Sequence, residues 1–381
     1  MYDADYWNAY IIRVFIPLDI LLILFIITGV TGNGLVIYIY GFKMKNIKDG
    51  QYFIPYLAVA DLLGSVICSL FGLSMTLMPL TYEFDALCKC GWVLGTATTV
   101  MSIFLLVTIA IQRYLKICRR KGPMMTLKWK KIIMMCALFL SAVIGGTSVV
   151  TKGSIPYHNV NRNVTGHICG TITGTTSVVY DAVLGVGAIL CCGLLIVPYC
   201  LIARKTHKYL KKEDQCEVQF QIETKKQISD NQTKESSIQT LDQRDVELQT
   251  CSINSEIQTM EHSISTQDTE MQSVNNITNK QPNKLRKTNR RIISQVTKIF
   301  MIISFIFIIC YLPKIIIIIL ETVSSNFWEN ASDVGRMVLM FVHQGYILNN
   351  IANPFIYTFF DEKFKTEIKH IFCQRVFTGK L

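Results

Sequence analysis

The sequence predicts an all-α membrane protein, a bundle of seven spanning helices with a short amphipathic helix on the inner surface. Three observations carry that reading. Of 381 residues, 50% are hydrophobic and only 17% charged, with a mean hydropathy of +0.34, where an ordinary soluble domain carries roughly 25% charge. Residues 211–291 alone hold 25 of the 65 Lys, Arg, Asp and Glu, so the rest of the chain is poorer still in charge. The apolar residues also fall in runs long enough to cross a hydrocarbon core of about 30 Å, which takes roughly 20 residues per helix.

Charge-free runs cover 20–42, 62–82, 90–112, 132–151, 182–203 and 337–360, and a further run over 299–313 continues past Lys314 through 315–320 to make seven spans. Asp3 and Asp5 stand where a removable signal peptide would be basic, and the first apolar stretch is too long for one, so it is read as the first helix. Orientation follows from Lys and Arg in the short loops. Lys43, Lys45 and Lys48 follow the first helix, and Lys116, Arg119, Arg120, Lys121, Lys128, Lys130 and Lys131 follow the third, which places both loops in the cytoplasm. The other side offers only Arg13, Lys89, Lys152, Arg162 and Arg336. An odd number of spans then puts the amino terminus outside and the carboxyl terminus inside. The net charge of +11 reads as attraction to anionic inner-leaflet lipid, with no nucleic acid needed.

The resulting plan is an extracellular segment over 1–11, five helices over 12–210, a third cytoplasmic loop over 211–291, two helices over 292–360, and an amphipathic helix with a cytoplasmic tail over 361–381. The third loop is rich in Gln, Ser, Thr and Asn and cannot bury enough apolar surface to offset its ordering entropy, so disorder is expected. Lys211 and Lys212 open it and Lys284, Arg286, Lys287, Arg290 and Arg291 close it; these basic ends are expected to extend the flanking helices. Sequons at Asn163 and Asn330 fall on the outside and predict glycosylation, whereas those at Asn231 and Asn276 fall inside.

Of 13 cysteines, only Cys88, Cys90 and Cys169 fall at the outer face, where a disulfide persists. A bridge from Cys169 to the top of the third helix would tie the intervening loop over the bundle, with Cys88 and Cys90 both available. Inside the spans, polar residues are the informative ones, because each costs about 2.5–3.5 kcal/mol or more unless partnered. Asp61 lies deep in the second helix, and Asn33, Ser102, Asn349 and Asn353 are its expected partners. A ring of oxygen-bearing side chains suits a hard cation. The competing reading is a neutral, hydrogen-bonded acid.

Taken together these residues resemble the rhodopsin-like (class A) G-protein-coupled receptors. The first helix has Gly32-Asn33, the second the Leu-Ala-x-Ala-Asp run ending at Asp61, and the third Cys88 followed after 25 residues by Gln112-Arg113-Tyr114. That interval is about 37 Å along a helix, which puts Cys88 and Arg113 on opposite faces of the bilayer and favours Cys88 as the partner of Cys169. Phe307, Cys310, Tyr311 and Pro313 mark the sixth helix, Asn353, Pro354 and Tyr357 the seventh, and Tyr199 stands at the place of the family's activation tyrosine on the fifth. Departures are Gln112 for the usual acid, Tyr311 and Leu138 for tryptophans, and Cys191 for the proline of the fifth helix.

The resemblance implies an extracellular ligand, heterotrimeric G protein, receptor kinases and arrestin as partners at the plasma membrane. It also implies Na⁺ at Asp61, Ser102 and Asn349. Pro313 and Pro354 each remove a backbone hydrogen bond and give their helices the character of levers. The resemblance lets an agonist shift them toward a packing that exposes Arg113, Tyr199 and Tyr357. Receptors for amines carry an acid on the third helix where this chain has Gly95. Gly95, Thr96 and Thr99, with Lys314, His343 and Tyr346, are the candidate ligand-binding residues, and Lys314 suits an anionic group such as a peptide carboxylate. Its alternatives are a pair with Asp181 or Glu321, or snorkelling outward. At the inner face Lys363, Lys365 and Lys369 alternate with Phe364, Ile368 and Phe372 at helical spacing, with Cys373 a candidate for palmitoylation.

No enzyme motif such as His-Glu-x-x-His is present, the seventh span has no lysine for a retinal Schiff base, and no internal repeat of a transporter is visible. The reading is a cell-surface receptor for a neuropeptide, with a small-molecule or lipid receptor as the alternative within the class and a ligand-gated channel outside it.

Overall fold

The computed structural model describes residues 4–44, 51–118, 125–159, 164–233, 282–324, 327–328 and 331–378. Helix α1 (Ala4–Val36) buries Phe15, Leu18, Leu22 and Phe25, at three- and four-residue spacing, and exposes Ile16, Ile20, Ile23 and Ile27 between them. Apolar on both faces, it is built for protein on one side and lipid on the other. The Thr28 and Thr31 hydroxyls donate back to the carbonyls of Leu24 (2.6 Å) and Ile27 (2.7 Å), so neither is left unsatisfied in the membrane. The helix begins at Ala4, inside the 1–11 segment expected to precede it. Trp7 stacks edge-on with both Tyr6 and Tyr10, and Asn8 accepts from the Leu80 amide at 3.1 Å, contacts that hold this first turn in place. A π-helical stretch, Ile37–Lys43, closes it.

Helices α2 (Ile54–Leu77), α3 (Asp85–Cys118) and α4 (Leu127–Thr151) follow. Small residues allow close approach, as is usual between membrane helices. A Cβ at Gly145 of α4 would lie 2.7 Å from the Val93 carbonyl oxygen of α3 and 2.8 Å from the Ala97 methyl. The outward faces are greasy: Phe139 is 68% and Val183 64% exposed, which fits contact with lipid.

Between α4 and α5 the chain forms an antiparallel hairpin, β1 (Lys152–Asn159) and β2 (Val164–Thr171), with Lys152 opposite Thr171 and Ser154 opposite Cys169. This two-stranded element is a departure from an all-helical expectation. The hairpin is fastened from outside itself. The Tyr82 amide donates to the His167 carbonyl (3.0 Å), the His167 amide to the Leu80 carbonyl (2.8 Å), and the Ser154 amide to the Asp85 carboxylate (2.9 Å). Cys169 is joined to Cys88 with a Cα–Cα separation of 5.6 Å, and Cys90 is a free, exposed thiol. Tyr82 packs fully buried against this bridge.

Helix α5 (Thr175–Thr233) and helix α6 (Pro282–Val323) both run into the 211–291 stretch, as expected of its basic ends, and α5 continues past Lys212 to Thr233, well into the segment expected to be disordered. Basic, helix-compatible residues at 211–212 and 284–291 extend the two spans. Residues 234–281 lie outside the described residues, as do Asn163, Asn276 and Asn330. Contacts divide the chain into two units, Met1–Arg113 with Met125–Val197 and Thr288–Leu381, and Tyr114–Met124 with Pro198–Lys287. In the second unit the Lys205 ammonium donates to the carbonyls of Ile117 (3.1 Å) and Cys118 (3.0 Å), satisfying the end of α3.

Among the described residues, six helices are long and apolar enough to cross a membrane: Asp5–Lys43, Ile54–Leu77, Asp85–Cys118, Leu127–Thr151, Thr175–Lys208 and Met301–Glu321. The seventh crossing is made by two shorter ones, α7 (Asp333–Gln344) and α8 (Ile347–Phe360), separated by Gly345 and Tyr346. There the bonds tighten to three-residue spacing, Gly345 amide to Val342 carbonyl and Leu348 amide to Gly345 carbonyl, both 3.1 Å. Helix α9 (Glu362–Thr378) ends the described chain.

Candidate functional site

A buried polar layer is assembled around one helix irregularity. Pro354 has no amide proton, so the carbonyl of Asn350 four residues earlier loses its helical donor. The Asn33 side chain supplies one at 2.9 Å. Gly32 makes this approach possible, since a Cβ there would meet the Pro354 ring at 3.0 Å. Beside this joint Asp61 is fully buried. One carboxylate oxygen accepts from the Ser102 hydroxyl at 2.6 Å and the other from the Asn353 amide at 2.7 Å. Asn349 is also buried, and its side-chain nitrogen has no partner among the described residues. Each Asp61 oxygen retains a further lone pair, so Asp61 and the Ser102 hydroxyl beside it present oxygens of the kind a hard cation takes.

Phe307, Tyr311 and Tyr346 form an aromatic column with centroid separations of 4.5 and 5.9 Å. The Lys314 ammonium lies over the Tyr346 ring, 3.2 Å from its centroid. It neither snorkels outward nor pairs with Asp181. That acid is taken by Lys152, whose ammonium sits 2.9 and 3.0 Å from its two oxygens, donates to the Thr171 hydroxyl at 2.7 Å and lies 5.0 Å from the Trp92 ring centroid. Gly95 is buried against Cys68, and Thr96 and Thr99 are half-buried.

Where α8 gives way to α9, Tyr40, Tyr357 and Phe364 pack ring to ring, with centroids 5.6 to 6.1 Å apart. The Tyr40 hydroxyl donates to Asp361 at 2.6 Å, while the other Asp361 oxygen accepts from the backbone amides of Lys363 (3.0 Å) and Phe364 (3.2 Å). Asp361 is thus an N-cap for α9. Phe364 is fully buried and Lys363, Lys365 and Lys369 are exposed; Lys43 pairs with Glu367 at 2.8 Å. The side chains of Phe372 and Cys373 lie outside those described. Arg113 and Gln112 are both buried.

Residues 32–357 match the family described as 7 transmembrane receptor (rhodopsin family). The chain belongs to this family. Squid rhodopsin has the same fold, with a TM-score of 0.64, 16% identity and coverage of 97% of this chain and 88% of that one. Among curated relatives, the human hydroxycarboxylic acid receptor 2 is 26% identical over 45% of this chain and 48% of its own length. The rat chemerin-like receptor 2 is 25% identical over 35% and 38%. With these relatives the chain shares less than half to about half of their length. A Xenopus laevis cholecystokinin receptor is 23% identical over 88% of this chain and 72% of its own length.

In this rhodopsin-family receptor the structure brings Asp61, Ser102 and Asn353 into direct contact and joins Phe307, Tyr311, Tyr346 and Lys314 in one column. Asn33 stands one residue layer away, on the Asn350 carbonyl. Tyr199 is buried in the second unit. Sequence reasoning did not pair Lys152 with Asp181. The signal was present, an acid inside an apolar run and a lysine at the rim of another, but it pointed equally to Lys314.

Proposed function

We propose that this receptor lies in the plasma membrane with its amino terminus outside, binds an extracellular neuropeptide and activates heterotrimeric G proteins. The observation that favours a peptide ligand is the extent of the likeness to the cholecystokinin receptor, which runs over most of both chains. An agonist that fits the outer aromatic column better in one packing of α6 and of the seventh span shifts the population toward it. Pro313 and Pro354 are the points at which those helices bend. Arg113 and Tyr357 then meet the G protein, and Tyr199 is the fifth helix's candidate for the same task. Na⁺ at Asp61, Ser102 and Asn349, supported by Asn33 and Asn353, holds the resting packing. Receptor kinases and arrestin act on the activated form.

Cells expressing the chain, challenged with a neuropeptide library and read by calcium and cyclic AMP, test the proposal. A peptide that evokes a second-messenger response absent from untransfected cells supports it. Agonist-gated current without a second messenger would instead assign a channel.

A further inference from the structure

We infer that Lys314 is the counter-ion for a carboxylate on the ligand of this receptor, a reading that rests on the proposal that the chain is a receptor for an extracellular ligand. Lys314 follows Pro313 within the span Met301–Glu321, a depth at which an ammonium group is costly without a partner. Among the described residues no carboxylate pairs with it. Its contact is the face of Tyr346, which is itself 6% exposed and neighbours the equally buried Tyr311. The charge therefore points into the bundle, away from the lipid.

Neither of the two acids toward this chamber pairs with Lys314 among the described residues. Asp181 is held in a buried pair with Lys152, side chains 6% and 12% exposed, and that pair is itself anchored on Thr171 and Trp92. Glu321 lies seven residues along the helix from Lys314, about 10.5 Å, and forms no ion pair with it among the described residues. Lys152 and Asp181 cancel, and Lys314 is left as the cation of an aromatic chamber. His343 stands three residues before Tyr346, the spacing that shares a helix face, and the His343 Nδ1 atom has no hydrogen-bond partner among the described residues. One ammonium and one imidazole suit a monoanion with two oxygens, one on Lys314 and one on His343. An amine-bearing head would meet like charge there, and the third helix offers Gly95 in place of an acid to receive it.

The carboxylate could belong to a small acid or to the free carboxyl end of a peptide, and the test separates these. The full chain in lipid nanodiscs is heated alone and with millimolar butyric acid, benzoic acid, or short peptides ending in aromatic residues, each beside its amide. The expected result is a rise of several degrees in unfolding temperature with acids of one of these two classes and none with the matching amides. Lys314→Gln should abolish the rise and Lys314→Arg should retain it, the arginine also showing that the site tolerates substitution. Response to the small acids assigns the small-acid source, and response to the peptides the peptide terminus. Equal effects of acids and amides, no effect of any acid, or an undiminished rise in Lys314→Gln would overturn the inference. Nucleotide exchange on a panel of purified G proteins, measured with the same nanodiscs, is read separately. Exchange without an acid effect ends the carboxylate site and keeps the receptor, whereas a Lys314-dependent acid effect without exchange on any G protein does the reverse.

Discussion

Asn33 and Pro354 form one structural device, in which the proline frees the Asn350 carbonyl and the asparagine fills it. Replacing Asn33 with Ala leaves that buried carbonyl unpaired, at a cost of about 1–3 kcal/mol. The expected outcome is a lower unfolding temperature of the purified receptor, and no change would show that the bond contributes nothing. Asp61 carries a sharper test. If Na⁺ bound there favours the resting packing, sodium lowers agonist affinity and agonist lowers sodium affinity by the same factor. Agonist binding to Asp61→Asn should lose its sodium dependence, and the same sodium dependence as the parent would refute the site. Gln112 beside Arg113 is neutral where the resemblance expects an acid. Adding a charge by Gln112→Asp supplies a pair worth on the order of 1 kcal/mol, which should cut agonist-independent signalling about fivefold at equal surface expression. Such single residues were legible because a polar side chain in hydrocarbon needs a reason. The Lys152–Asp181 pair was not, because two lysines and two acids, Lys152, Lys314, Asp181 and Glu321, can be matched in more than one way from the chain alone.

Helices were legible as elements because length and hydropathy decide them. The irregular parts were not, because they depend on contacts distant in sequence. Nothing local in Lys152–Asn159 or Val164–Thr171 demands a hairpin; the strands are ordered by Leu80, Tyr82, Asp85 and the Cys88 bridge. Cys169→Ser removes a constraint worth about 2–5 kcal/mol and should reduce surface expression. Surface labelling equal to the parent would contradict that role. The break at Gly345 and Tyr346 keeps helical dihedrals, so no sequence rule for turns marks it. Helix α9 was legible from its alternation of Lys and apolar residues, but its cap was not, since Asp361 reads as one more surface acid. Asp361→Ala should cost about 1 kcal/mol through lost capping and release Tyr40, with reduced thermal stability as the measurement. Acyl-exchange labelling that is unchanged by Cys373→Ala would exclude palmitoylation at that residue.

Across the whole molecule, the distribution of charge carries the topology. Lysines and arginines gather in the loops after the first and third helices, and apolar side chains such as Phe139 and Val183 face outward from the spans. The proposed orientation predicts that Asn163→Gln and Asn330→Gln each lower the apparent mass of the mature protein, with no change for Asn231→Gln or Asn276→Gln. The central claim is that ligand-controlled repacking of this bundle turns over a G protein. Guanine-nucleotide exchange on purified heterotrimeric G proteins tests it most directly, with the receptor in nanodiscs compared against the Arg113→Ala variant. Exchange faster than with empty nanodiscs is expected for at least one G-protein class, with loss of that acceleration in Arg113→Ala. Exchange no faster than with empty nanodiscs for every class, even with an agonist that binds, would contradict it.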